Sequence, residues 1–569
     1  VDTLTLDALP MFRCLVAVSV LAAAVAFTPA PHAAPFGPRG SAAPPAPRYV
    51  APNGSGALFL VRGHGWGHGV GMGQWGAQGY ALQSYTYDQI LAAYYPGTTV
   101  GSAPISTIRV LLADQRKKLT LASSQPIAVA DGDGVQHALA AGKTTLTASL
   151  QLAVDGGSAQ PLQPPLTFSP APGSTLTLGR AYRGQIVVDV VKGRLQAINV
   201  LSLEEYLYGV VPAEMPSSWL PAALEAQAVA ARSYALASRR AGAPFDVYGD
   251  TRSQVYGGVA AETPQATEAV DATAGQVLLY AGKVAKAVYS ASSGGWTESA
   301  ADAWGGAGEP YLVSVRDPYD GISPYHDWGP VAVPATTLGQ ELHLRGRLVD
   351  AKVRKNSSRR VAALDVGSLR RGSESTAAVD GATAASALGL RSTWFSVGVL
   401  SLQPPLPNRP VPYGRKVTLA GVVRGVKGVV VQQRRRHVPW TQRARVAPQA
   451  GTGTFTLRVK ATATTDYRLA TADDAAAFVR IRVEPRVRLL RASSNFVSGR
   501  ERPALPGARV LVQQQRVAGS QRWKTVARGV VVAGGRFRVS ASLQTGAVRV
   551  VVAPGNGWWP GASNGATVG

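Results

Sequence analysis

The sequence predicts an α+β protein: a mixed α/β domain followed by two small all-β, Ig-like sandwich repeats. Three observations carry this. Short Val/Leu/Thr runs broken by Gly, Asp-Gly and Pro fill residues 105–200. An Ala-rich stretch with helical spacing follows at about 221–240. Past residue 407 one pattern of alternating apolar strands occurs twice. A chain of 569 residues is too long for one core, and its 46% apolar content excludes disorder throughout.

Charge and the first residues narrow the setting. The net charge is +25, and beyond residue 400 there are 28 Lys and Arg against 5 acids. Such an excess calls for a polyanionic partner: nucleic acid, anionic lipid or an acidic cell-wall polymer. Residues 1–34 read as leader and signal peptide. Val1 to Pro10 resembles alternative-start sequence, Met11-Phe12-Arg13 forms a short basic region, and Leu15 to Phe27 is an apolar run. That run is short for a bilayer span, although an uncleaved membrane anchor remains the rival reading. Export to the cell surface or wall makes nucleic acid the weakest of the three partners. Cys14 would leave with the peptide, so neither disulfides nor thiolate metal sites are expected. Residues 35–56 are a Pro/Ala-rich linker.

The mixed domain is expected over 57–400, in three parts. The Gly/His-rich segment 57–104 contains Gly63-His64-Gly65-Trp66-Gly67-His68-Gly69-Val70-Gly71-Met72-Gly73-Gln74-Trp75. His64 and His68 have the spacing of a helical zinc pair, but so much glycine forbids a stable helix, and no metal is expected. A loop that brings backbone N–H groups and imidazoles close to a ligand suits the pattern, as does a tight turn packed by Trp66 and Trp75. Tyr85 to Tyr95 has helical spacing. In the β-rich part, 105–200, Ile108–Leu112, Thr144–Val154, Ile186–Val191 and Leu195–Val200 read as strands.

The helix-containing part, 201–400, opens with helical Ser202 to Tyr208. The helix near 221–240 places Leu224, Gln227, Ala231 and Tyr234 on one stripe, and its alanines allow close neighbours. A hairpin is expected around Ala281-Gly282-Lys283, leading into Ser290-Ala291-Ser292-Ser293-Gly294-Gly295-Trp296-Thr297. A Pro-rich linker at 401–407 precedes the repeats, 408–486 and 487–569. Val429-Val430-Val431-Gln432-Gln433-Arg434 with Trp440 and Phe455 answers to Val510-Leu511-Val512-Gln513-Gln514-Gln515 with Trp523 and Phe537. The outward arginines read either as solvated strand faces or as a means of retention on an anionic wall polymer.

Between the β-rich part and the long helix lies Val211-Pro212-Ala213-Glu214-Met215-Pro216. It reads as a short loop holding one carboxylate among apolar residues and prolines. Desolvation there would raise the carboxyl pKa and let one Glu hold a proton near neutral pH. Glu204, Glu205 and Glu225 read as solvated. Gln227 and Tyr234 suit hydrogen-bonding partners of a substrate or a satisfied core. Arg232 suits a loop-pinning role or a substrate carboxylate.

Three patches resemble the SpoIID/LytB family, named for the stage II sporulation protein D. They are Tyr206 to Pro216 with Ala226 to Ala235, then Ser290 to Thr297, then Gly67 to Ala77. The resemblance covers most of 57–397 and leaves the repeats outside. It implies a catalytic domain that cleaves peptidoglycan glycan strands as a lytic transglycosylase, with Glu214 as catalytic residue. His68, Gly69, Gly71, Met72, Gln74, Gln227, Arg232, Tyr234, Ser290, Gly294, Gly295 and Thr297 are then expected to contact substrate, with no cofactor. The alternative is a non-enzymatic wall-binding activator of a partner amidase. The His-Gly-Val-Gly-Met patch comes early here and late in the sporulation proteins, an order compatible with one fold if the domain's ends are adjacent.

Overall fold

The computed structural model describes residues 56–240, 242–370, 373–404, 409–515 and 522–569. The readings of leader, signal peptide and linker up to residue 55 lie outside the described residues, as do 405–407 of the Pro-rich linker.

The strand Leu58–His64 sits inside a five-stranded antiparallel sheet, between Asp327–Pro334 and Phe395–Gln403. Lys416–Arg424 and Thr454–Lys460 extend the sheet. Alternate side chains feed two cores. Phe59 and Val61 pack with Val333 and Val399 on one face. Leu58 and Leu60 pack with Leu400, Leu402, Leu419 and Val423 on the other. A strand buried on both faces needs no polar alternation, which explains the unbroken Leu-Phe-Leu-Val run.

This sheet alters the expected division of the chain. Residues 401–403 are strand, and the first repeat shares both a sheet and a core with the segment 57–400. Arg424 fastens the junction, its guanidinium 2.6 Å from Asp350. The adjacency of Leu58–His64 to Phe395–Gln403 brings together the ends of the 57–400 segment. The second repeat has its own core of Val497, Val510, Val512, Phe537, Val548 and Val550. That core lies between the sheet 486–493/496–502/536–540 and the sheet built on 509–515 and 546–553.

A larger core spans Val70 to Leu312. Its main sheet has seven strands, with Thr107–Arg116, Arg194–Ser202, Gln185–Val191 and Leu166–Ser169 in its middle. The expected strand 144–154 breaks into Gly142–Thr147 and Gln151–Ala153, because Leu150 turns the chain at φ 44°. Four helices matter for the site: α1 (Gln74–Leu82), α2 (Tyr87–Tyr94), α3 (Leu203–Glu214) and α4 (Pro221–Ala237). Along α4, Ala223, Ala226, Ala228, Ala230 and Ala231 are fully enclosed, and small side chains let α1, α2, α3 and the strand Gln276–Tyr280 close on it. The hairpin turns at Ala281 and Gly282, both with positive φ. Its return strand is only Lys283–Val284. Tyr289–Ser290 instead pairs in parallel with Met72–Gly73.

Candidate active site

Helix α3 carries the carboxyl of interest. Ser202 caps it, accepting from the Glu205 N–H, while the Glu205 carboxylate reaches back to the Ser202 N–H. The helix ends where Pro216 forces the preceding Met215 into an extended conformation, φ −128° and ψ 147°. Glu214 is therefore the last helical residue. The loop expected from Val211 begins only at Met215, so Glu214 stands on a helix and not in a loop, with Pro212 inside that helix.

Glu214 keeps a partial opening to solvent as a residue, while its carboxyl is enclosed and pushed up to about 7 by burial. One backbone donor, Val255 N–H at 3.3 Å from Oε1, works in the opposite direction. A place at the carbonyl end of α3 also disfavours negative charge. Tyr206, Tyr234 and Tyr289 stand around it, and each phenol is held higher chiefly by burial and in smaller part by the Glu214 charge. Gln254 ties this cluster together. It accepts from Tyr206 Oη at 3.2 Å and donates to Tyr289 Oη at 2.8 Å.

The three sequence patches converge here. Gln74, the first residue of α1, donates from Nε2 to the Glu214 carbonyl at 3.1 Å and to Gln227 Oε1 at 3.5 Å. Gly73, just before it, pairs with Ser290. The Trp75 N–H donates to the Ala291 carbonyl at 3.0 Å. Trp75 also stacks edge-on against Trp219, at 4.8 Å between centroids. Gln227 is fully enclosed, and its Nε2 has no partner among the described residues. Tyr234 packs against Tyr289. Ser290 is buried with an unpartnered hydroxyl, again among the described residues.

The other candidate residues serve different contacts. Arg232 is wholly buried; it pairs with both oxygens of Glu204 and donates to the Gln276 and Val270 carbonyls. Glu204 is thus an ion-pair partner rather than a solvated acid, and Glu225 is half-buried and raised by burial. His68 accepts from the Val70 N–H at 3.0 Å and lies edge-on to Trp304. Gly69 leaves room for the Arg360 guanidinium, and Gly71 for the Val288 carbonyl. Met72 is fully buried, with its N–H on Tyr95 Oη. Gly294 donates to Asp320, Gly295 to Ser293 Oγ, and Thr297 bonds the backbone of Val313 and Val315.

Sequence reasoning passed over two groups. Gln254 and Val255 precede Tyr256-Gly257-Gly258, the same mixture of amide, aromatic and glycine that marks the other patches. The second is a buried acid pair behind the hydroxyl-rich loop. Asp317 is pushed up to about 7 by burial and by Asp320, and it accepts from Ser293 Oγ at 2.7 Å. Asp320 accepts from Ser292 Oγ, the N–H groups of Ser293 and Gly294, and His326 Nδ1 at 2.8 Å. Those aspartates account for the serines. His64 Nδ1 lies 2.6 Å from an Asp327 carboxylate oxygen, and among the described residues no group of three or more His, Cys, Asp or Glu is placed to hold a metal ion.

Fold and site together define an α+β domain in which distant segments meet at the enclosed carboxyl of a helix end. Residues 191–280 match the family model "SpoIID: Stage II sporulation protein". Stage II sporulation protein D of Bacillus subtilis is 33% identical over 156 residues, covering 24% of this chain and 45% of that protein. The amidase enhancer of the same organism is 41% identical over 114 residues, 20% of this chain and 15% of the relative. An uncharacterized protein of Brachyspira hyodysenteriae is 39% identical over 153 residues, 26% of this chain and 41% of its own length. The chain is thus similar to the stage II sporulation protein D family over residues 191–280, and it spans less than half the length of each of these relatives. Among solved structures, a chimeric titin Z1Z2 tandem aligns with 30% of this chain and 97% of its own at 14% identity and a TM-score of 0.13, a likeness that carries no argument.

Proposed function

We propose that this chain is an exported peptidoglycan lytic transglycosylase with Glu214 as its acid and base. The observation that carries the reading is the Glu214 carboxyl, held near pKa 7 where three distant segments meet. Hydrolytic glycosidases ordinarily use two carboxyl groups. Enclosure raises the Glu214 carboxyl and one backbone N–H opposes it. A lytic transglycosylase needs only one. The protonated carboxyl gives its proton to the glycosidic oxygen as the bond from the anomeric carbon breaks. The sugar's own C6 oxygen then bonds to that carbon, and its proton returns to the Glu214 carboxylate. A 1,6-anhydro end forms, no water is consumed, and the acid is restored.

Mass spectrometry of products from purified peptidoglycan tests this. The parent chain is expected to release ends lighter by one water than hydrolytic ends. Glu214→Gln is expected to release none while keeping the folded far-UV circular dichroism spectrum of the parent. Hydrolytic ends, or unchanged release by the variant, would reject the assignment.

A second reading is favoured by the similarity to the amidase enhancer: a wall-bound activator of a partner amidase. Under it, purified chain releases nothing from clean sacculi, and Glu214→Gln stimulates an amidase as well as the parent does. In either reading the basic repeats retain the chain on an anionic wall polymer.

A further inference from the structure

The two C-terminal repeats share more than a strand pattern. In the first, Arg468 donates from Nε to Gln432 Oε1 at 2.8 Å, and its guanidinium lies 4.2 Å from the Trp440 ring centroid. In the second, Arg549 donates from Nε to Gln513 Oε1 at 2.8 Å and lies 4.3 Å from the Trp523 ring. Register explains the match. Gln432 faces Arg468 and Gln513 faces Arg549 across antiparallel strands. Exposed Arg445 and Arg528 sit two rows along, opposite Val430 and Leu511. These side chains occupy the outer faces. Their neighbours Val431 and Leu469, or Val512 and Val550, fill the cores.

Each arginine is fixed at one end and open at the other. Nε is held by an amide oxygen and the guanidinium plane by an indole, which restricts the side chain to one orientation. Among the described residues, the terminal nitrogens of Arg468 and Arg549 find no protein acceptor. A planar fork with unused N–H groups matches the two oxygens of a phosphate or carboxylate. Partial burial lowers the pKa of both guanidinium groups, so an anion placed there meets less competition from water. With 28 basic against 5 acidic residues beyond residue 400, the field around both faces attracts polyanions.

We propose that the outer faces around Arg468 and Arg549 are two equivalent subsites for an anionic sugar or polyol polymer, each gripping one phosphate or carboxylate. The choice of a wall polymer over nucleic acid rests on the reading of an exported, wall-acting chain. Two weak sites on one chain bind a repeating polymer more tightly than either alone.

Binding of the full chain to poly(glycerol phosphate) and to polygalacturonate, at about 150 mM salt, tests the proposal and distinguishes phosphate from carboxylate. At least one polymer is expected to bind. The double variant Arg468→Gln/Arg549→Gln is expected to lose about tenfold or more in affinity. Arg468→Lys/Arg549→Lys keeps the charge without the fork and is expected to lose nearly as much. Arg458→Gln/Arg536→Gln removes the same charge from exposed positions on the opposite sheets, and is expected to stay within about twofold. Equal losses in the two Gln pairs, full rescue by lysine, binding of neither polymer, or equally tight binding of duplex DNA would each overturn it. Glu214→Gln is expected to bind both polymers as the parent does, so a failure of the lytic reading leaves this result standing.

Discussion

The side-chain amide of Gln74 donates to the main-chain carbonyl of Glu214 at 3.1 Å, across 140 residues of sequence. That bond ties the start of α1 to the end of α3 and sets the level at which the carboxyl stands. Gln74→Leu leaves the carbonyl without this donor and Gln227 Oε1 without its partner. A loss of about 1–3 kcal/mol in stability is expected by chemical denaturation. Turnover should fall by at least about tenfold among folded molecules, since sub-ångström placement of an acid controls its rate.

Protonation of Glu214 links activity to pH. With the folded carboxyl at about 7 and an ordinary value of 4.5, the folded state holds a proton that the unfolded chain has lost between those values. Stability therefore declines as pH rises from about 4.5 to 7. Glu214→Gln removes that penalty. The variant is expected to gain up to about 3 kcal/mol on the parent at pH 8, and nothing at pH 4, in paired thermal melts. Product release by the parent should fall above about pH 7, following the protonated fraction.

Arg232 is a structural cation. Arg232→Met strands the Glu204 carboxylate and frees the Gln276 and Val270 carbonyls, so a loss of about 3 kcal/mol is expected. KM for soluble glycan fragments should stay unchanged in the surviving folded fraction. A raised KM at unchanged stability would instead assign Arg232 to substrate.

Gly71 tests whether the glycine run serves packing. At φ 70°, a Cβ there would lie 2.0 Å from the Val288 carbonyl oxygen, in backbone that carries Tyr289 and Ser290. Gly71→Ala is expected to cost more than about 2 kcal/mol and to broaden the unfolding transition. Unchanged stability would return this glycine to the ligand-approach role.

Much of the site was legible because its parts are local. The alanines of α4, the proline after Met215 and the isolated Glu214 each have a short-range physical meaning. The enclosure of Glu214 followed from apolar neighbours, although its place on a helix end did not, since Pro212 reads as a breaker. What escaped was set by long-range pairing. Nothing beside Arg232 names Glu204 as its partner, and nothing in Ser292-Ser293 announces Asp317 and Asp320. The Pro-rich stretch suggested a domain boundary because composition is blind to the strand that runs into it.

That strand, Phe395–Gln403, has one further consequence. Its hydrogen bonds run to Leu58–His64 on one side and Lys416–Arg424 on the other, so the first repeat is no pendant on a leash. A chain cut after Gln403 would leave an open strand edge and strip the cover from Leu58, Leu60, Leu400 and Leu402. Such a truncation is an aggregation hazard, and the basic repeat is best regarded as a fixed outrigger of the body that carries Glu214.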